Sequence, residues 1–128
     1  TVTNSSEVQQ AAKSLDVDAF YVPTDNTVVS ALESLLQVAE ASKTPVVSAD
    51  GDSVKRGVLA SVAVDYYKMG QQTADMAVKI LKDGVKPADI PVETQSEYSI
   101  VINPAAATRI GITLPESLTS RATETITG

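Results

Sequence analysis

The stretch that decides the fold is residues 19–49, "AFYVPTDNTVVSALESLLQVAEASKTPVVSA". It opens on a short apolar run, Ala19 to Val22, that reads as a buried strand. Four polar residues follow, Thr24, Asp25, Asn26 and Thr27. From Thr27 to Lys43 the apolar residues fall at 28, 32, 35, 36 and 39, the spacing of one helix face. "PVVSA" (45–49) is then a second buried run. Strand, helix and strand in that order predict a right-handed crossover and two parallel strands.

The same alternation extends in both directions. Upstream, "TVT" (1–3) reads as a strand, and Ser5 or Ser6 can cap a helix beginning at Glu7. Downstream, "GVLASVAVD" (57–65) reads as a strand and "YYKMGQQTADMAVKILKDG" (66–84) as a helix. That helix carries Met69, Thr73, Met76, Ile80 and Leu81 on one side and stops at Gly84. "GVKPADIPVE" (84–93) reads as an extended connector, "SIVI" (99–102) as the last strand, and Pro104 as the opening of a short final helix. Strands that are continuous apolar runs belong in a parallel sheet covered on both faces. The expected class is α/β, a three-layer αβα arrangement of the flavodoxin-like kind, in a chain whose 128 residues suit a single domain.

Composition narrows the chemistry. A net charge of −6, with no histidine, offers no basic stripe for nucleic acid. Without cysteine or histidine the chain has no thiol nucleophile, thiolate metal site or Ser-His-Asp triad. No metal and no cofactor is expected, and the apolar runs are too short to span a bilayer. "SADGDS" (48–53) has the beginning of a calcium loop but not its full ligand spacing or terminal Glu. Residue 1 begins directly in strand-like sequence, so the chain is expected to be part of a longer one.

Ligands of open parallel sheets lie beyond the carboxyl ends of the strands. That rule selects the loops Asn4–Ser6, Thr24–Thr27, Asp50–Ser53 and Asp65–Tyr66, three of which carry an aspartate. Helix capping by Asp25 or Asn26 is a competing role for the same residues. Of Tyr66 and Tyr67, adjacent at a helix start, one is expected to pack.

Three longer strings carry a resemblance. "VDAFYVPTDNTVVSALESLLQVA" (17–39), the run 45–93 beginning "PVVSADGDSVKRGVLASVAVDYYKMG", and "VINPAAATRIGITLPESL" (101–118) resemble the substrate-binding proteins of bacterial ABC transporters. The similar subfamily includes the tryptophan and aromatic-amino-acid binders. The resemblance implies a lobe of the type I periplasmic-binding fold, in which two α/β lobes joined by a hinge close on a small solute. It implies that 1–57 belong to the second lobe, that 58–96 cross to pack on the first, and that 97–128 return toward the hinge. The first lobe, and the strand and helix that open the second, have no counterpart in these residues.

The resemblance further implies ligand contacts at Thr24, Asp25, Asn26, Asp50 and Asp65, with Asn4 and Ser5 in a more variable loop. Asp25 or Asp50 would accept from an amino group, while hydroxyls and helix N-termini hold a carboxylate. Implied partners are the solute and the ABC permease subunits. The implied location is periplasmic or extracellular, lipid-anchored in the parent. The 128-residue chain is expected to self-associate, as a homodimer or a domain swap, because 57–84 lacks its covering lobe. A lactose-repressor-type effector domain shares this fold and is the alternative. A carboxylate-based flavodoxin-like hydrolase is the weaker rival, for want of a nucleophile–base pair, and no enzyme activity is expected.

Overall fold

A computed structural model describes residues 2–127. It divides into two compact units, Thr1–Ala63 with Ser99–Gly128, and Val64–Tyr98.

The larger unit is built on a mostly parallel sheet. Its strands are β1 (Phe20–Val22), β2 (Val46–Ser48), β3 (Ala60–Val64), β4 (Tyr98–Ile102) and β5 (Glu124–Thr125), in the spatial order β1-β2-β3-β4-β5. β1 and β2 run parallel with Phe20 opposite Val46 and Val22 opposite Ser48. β2 and β3 run parallel with Ser48 opposite Ser61, and β4 and β5 with Val101 opposite Glu124. The helices are α1 (Val8–Lys13), α2 (Asn26–Ser30), α3 (Leu32–Ser42), α4 (Gly51–Lys55), α5 (Tyr66–Leu81), α6 (Pro104–Ile110) and α7 (Glu116–Thr119).

Alternation along the strands sends side chains to two cores. One joins Val8 and Ala12 of α1, Leu32, Leu35, Leu36 and Ala39 of α3, and Val54 of α4 to Val22, Val46 and Val101 of the sheet. The other packs Ala106, Ala107 and Ile110 of α6 on Ala60, Ile100 and Ile102. The unit is therefore three-layered, as expected. Leu32 and Val54 are fully buried, and burying a side chain of that size contributes about 1.5–3 kcal/mol. Two ion pairs brace the edge of this unit. Arg56 donates twice to Glu33, at 2.9 Å from both Nε and Nη2. Arg109 donates to Glu40 at 2.6 Å and to the Gly57 carbonyl at 3.3 Å. Gly57 has φ +122, and a Cβ there would meet Arg109 Nη2 and Leu36 Cδ1 at 3.2 Å, so only glycine serves.

Several expectations are corrected. Val2 and Thr3 are not strand, and Thr1 lies outside the described residues. The first cap is Asn4, not Ser5 or Ser6. Its side chain accepts from the Ser6 N–H, so the helix opens as a 3-10 turn, Ser5–Glu7. The single helix expected over 27–43 is two, α2 and α3, broken at Ala31 (φ −113, ψ 25). The β-branched run Thr27–Val29 and the Ser30 hydroxyl, which donates to the Thr27 carbonyl at 2.9 Å, weaken that first turn. α3 ends at Lys43 in the left-handed region, with the Thr44 N–H donating to the Ala39 carbonyl at 2.8 Å. The strand expected from 57 begins only at Ala60.

The smaller unit consists of α5 and the chain that follows it. Asp65 caps α5, and Gly84, in the left-handed region at φ +70, lies just past its end. The connector is not wholly extended, because Pro87–Asp89 forms a 3-10 turn. No residue of α5 is buried, and Leu81 is 85% exposed.

Candidate functional site

The carboxyl ends of β1 and β2 lie side by side because the two strands are parallel and in register. Each delivers an aspartate that caps the next helix. Asp25 Oδ1 accepts from the Val28 N–H at 2.9 Å, so Asp25 is the cap and Asn26 is the first helical residue. Thr24, Asp25 and Asn26 are all exposed. Among the described residues, Asp25 Oδ2 accepts no hydrogen bond, so one carboxylate oxygen remains available after the helix is capped.

Asp50 is engaged differently. The expected loop Asp50–Ser53 is helix α4, and Asp50 is its N-cap. Oδ1 accepts from the Ser53 N–H and Oδ2 from the Ser53 hydroxyl, both at 2.8 Å. The Ser48 hydroxyl donates to the Asp50 carbonyl at 2.8 Å. Asp52 is paired to Lys55 at 3.1 Å. The acidic run thus folds as a capped helix turn whose carboxylates have partners within the turn.

Asn4 and Ser5 are exposed at the start of the chain. Asn4 accepts from Ser6 and donates to Glu7 Oε1 at 2.9 Å, while the Thr3 N–H donates to Glu7 Oε2 at 2.8 Å. These bonds, led by the one from the Thr3 backbone, hold the Glu7 carboxyl below the ordinary glutamate range. Asn4 is thereby tied into a local network.

Asp65 belongs to the smaller unit. Its Oδ1 accepts from the N–H groups of Tyr67 (2.9 Å) and Lys68 (3.1 Å). Tyr66 and Tyr67 are 58% and 77% exposed, so neither packs, against the expectation that one would.

A buried polar residue that sequence reasoning missed is Asn103, which lies at the opposite end of the sheet, where its N–H donates to the Leu59 carbonyl just ahead of β3 at 2.9 Å. Its Oδ1 accepts from the Ala106 N–H at 2.9 Å, and its Nδ2 donates to the Val54 carbonyl at 3.0 Å. The signal was present as Asn directly before Pro104, a cap followed by proline at the first helical position. Ser61, on β3, carries a buried hydroxyl without a partner among the described residues.

A sequence model of the family described as ABC transporter substrate binding protein matches residues 1–126. The tyrosine-binding protein of Clostridioides difficile is 40% identical over 104 residues, covering 80% of this chain and 30% of that protein. A crystal structure of a conserved domain protein from Vibrio cholerae superposes with TM-score 0.85 at 41% identity, over 98% of this chain and 43% of that one. An ABC domain from Streptococcus pneumoniae in complex with L-Trp superposes with TM-score 0.82 at 36% identity, over 98% of this chain and 44% of that one. The chain therefore spans less than half the length of these relatives. Across almost its whole length, the chain belongs to the ABC transporter substrate-binding protein family.

Proposed function

We propose that this chain supplies one wall of the solute-binding cleft of an ABC importer's binding protein, and that the solute is an aromatic amino acid. The observation that carries the solute class is the 40% identity to a protein that binds tyrosine, supported by a structural relative holding L-Trp. No observation favours the transcription-regulator alternative.

Within the wall, Asp25 is the residue proposed to accept from the solute's ammonium. It is exposed and spends one oxygen on capping, whereas both oxygens of Asp50 are held by Ser53. Thr24 and Asn26, exposed beside it, supply a hydroxyl and an amide that can donate to a carboxylate. Asp50 serves by fixing α4, with Asn4 and Ser5 at the rim. Asp65 is proposed as a contact presented by the segment that packs on the other lobe in the full-length protein. No bond is made or broken. Closure of two lobes on the solute is the output, read by the permease. The parent would work outside the cytoplasm on a lipid anchor. Among the described residues no helix is long and apolar enough to cross a membrane.

Calorimetric titration of the full-length parent with L-Tyr, L-Trp, L-Leu and a sugar tests this reading. Saturation by the aromatic amino acids with at least tenfold preference over L-Leu is expected. Binding of the sugar alone would overturn it.

A further inference from the structure

The chain after α5 does not simply trail away. Three alternate residues of an extended segment, Glu93, Gln95 and Glu97, all bond to one stripe of the helix. Glu97 pairs with Lys68. Gln95 Nε2 donates to Gln72 Oε1 at 2.6 Å, and Gln72 Nε2 donates to Glu93 Oε2 at 2.8 Å. Lys79 Nζ reaches Glu93 Oε1 at 3.4 Å.

The spacings on the two sides match. Residues 68, 72 and 79 are separated by four and seven, which keeps them on one helix face. Eleven residues of helix rise about 16 Å. Four steps of extended chain cover about 13 Å, so 93–97 can run antiparallel along the same stripe with its alternate side chains turned to the helix. Lys68 is raised above the ordinary lysine range, chiefly by its hydrogen bond to Glu97. Glu93 is held below the ordinary glutamate range by Gln72 first and Lys79 second.

Burial does not account for this arrangement, since α5 has no buried residue. Beside the polar stripe, Met69, Thr73 and Met76 face Thr94 and Tyr98 across a hollow of about 410 Å³, so apolar packing leaves a gap where the polar bonds close.

We propose that Glu93, Gln95 and Glu97 form a polar clasp that fastens residues 93–97 along the Lys68–Gln72–Lys79 stripe, so that α5 and the segment 93–97 move as one body. The clasp is a property of the smaller unit and does not depend on any solute. Its relevance to lobe closure, as one element carrying the other, rests on the binding-protein reading.

Backbone ¹⁵N relaxation of the 128-residue chain is the test, with the Glu93→Ala/Glu97→Ala double variant beside it. In the wild type, order parameters of 93–97 should approach the rigid value of about 0.85 and in the variant fall below about 0.6. Those of β1 and β2 should not change, which checks folding. Lys68→Ala, made from the helix side, should loosen Glu97 more than Glu93, and 1 M salt should mimic the double variant in part. A segment already mobile in the wild type, or one equally rigid in the double variant, would overturn the clasp.

Discussion

Asp50 and Ser53 hold each other at two points: one carboxylate oxygen takes the Ser53 N–H and the other its hydroxyl, both at 2.8 Å. Ser53 is 1% exposed, so its hydroxyl has no water to turn to if the carboxylate is removed. Loss of an aspartate cap costs about 0.5–2 kcal/mol. Stranding a buried hydroxyl costs about 1–3 kcal/mol more. Asp50→Ala should therefore destabilise the chain by about 1–4 kcal/mol in urea denaturation, the two effects partly overlapping. A loss below 0.5 kcal/mol, on the order expected of an ordinary surface position, would count against the two-point hold.

Asp25 offers a cleaner separation of roles. Asparagine caps helices about as well as aspartate, so Asp25→Asn keeps the bond to the Val28 N–H and removes only the charge. In the full-length parent, Asp25→Asn should leave the melting temperature nearly unchanged. It should weaken amino-acid binding by about 1–3 kcal/mol, the scale of a charge-assisted hydrogen bond. Asp25→Ala should lose both. Calorimetry and thermal melts on the two variants decide the matter, and full affinity in Asp25→Asn would leave only the capping role.

Asn103 is a buried polar side chain at the end of the sheet opposite Asp25 and Asp50. It joins the start of α6 to the Val54 carbonyl of α4 from a site 4% exposed. Asn103→Ala leaves a buried donor and a buried acceptor unpaired, at about 1–3 kcal/mol each before relaxation. Asn103→Asp keeps the cap but places a charge against a carbonyl, so it should be little better. Equilibrium unfolding that ranks Asp well above Ala would show that capping alone matters here.

The βαβ core and a cap at Asp25 or Asn26 were legible because they rest on local rules: apolar runs, a helical stripe at 32, 35, 36 and 39, and polar residues at strand ends. The caps at Asp50 and Asp65 were read only as ligand contacts. What was not legible rests on tertiary detail. α4 is the sequence "GDSVK", poor in helix formers, and it is helical because Ser53 and Val54 are buried and Asp50 caps it. β5 is two exposed residues, Glu124 and Thr125, with no apolar signature, held by backbone pairing to Val101 and Ile102. At the candidate site, sequence named Asp25 and Asp50 as equals. What separates them is the partner at the third position of each helix: Ser53 occupies both oxygens of Asp50, while Val28 takes only Oδ1 of Asp25.

The pH dependence follows from a few exposed carboxylates. Glu7 is held low by the Thr3 N–H and hydroxyl. Glu33 is held low by its own backbone N–H and then Arg56, and Glu93 by Gln72 and then Lys79. Each has a folded value below its unfolded one, so its contribution is complete above the unfolded glutamate value, about 4.3, and is lost as pH falls through the lowered value. Lys55, through Asp52, and Lys68, through Glu97, are raised, so their contribution is lost only as pH climbs through values above the ordinary lysine range. The sequence contains no histidine. Melting temperature should be flat between about pH 6 and 9 and fall below about pH 4. A step near pH 6.5 in a series of thermal melts would contradict this assignment.

Alone, the 128-residue chain offers one wall of the proposed cleft. It spans 44% of the relative solved with L-Trp, and of the proposed contacts the larger unit contributes Asn4, Ser5, Thr24, Asp25, Asn26 and Asp50. Thr24, Asp25 and Asn26 are exposed, so a solute resting on them keeps most of its water. Exposed charge pairs contribute about 0–1 kcal/mol each. Fixing the solute costs several kcal/mol, on the order of 4 or more, which contacts of that strength cannot offset. The chain should therefore bind L-Tyr or L-Trp no more tightly than about 1 mM, equivalent to about −4 kcal/mol. Amide shifts of residues 24–26 and 50–53 during titration, read with sedimentation at the same concentration, provide the measurement. Saturation at micromolar ligand by a monomer would mean that one wall suffices. The same saturation by a dimer would mean that a second copy completes the cleft.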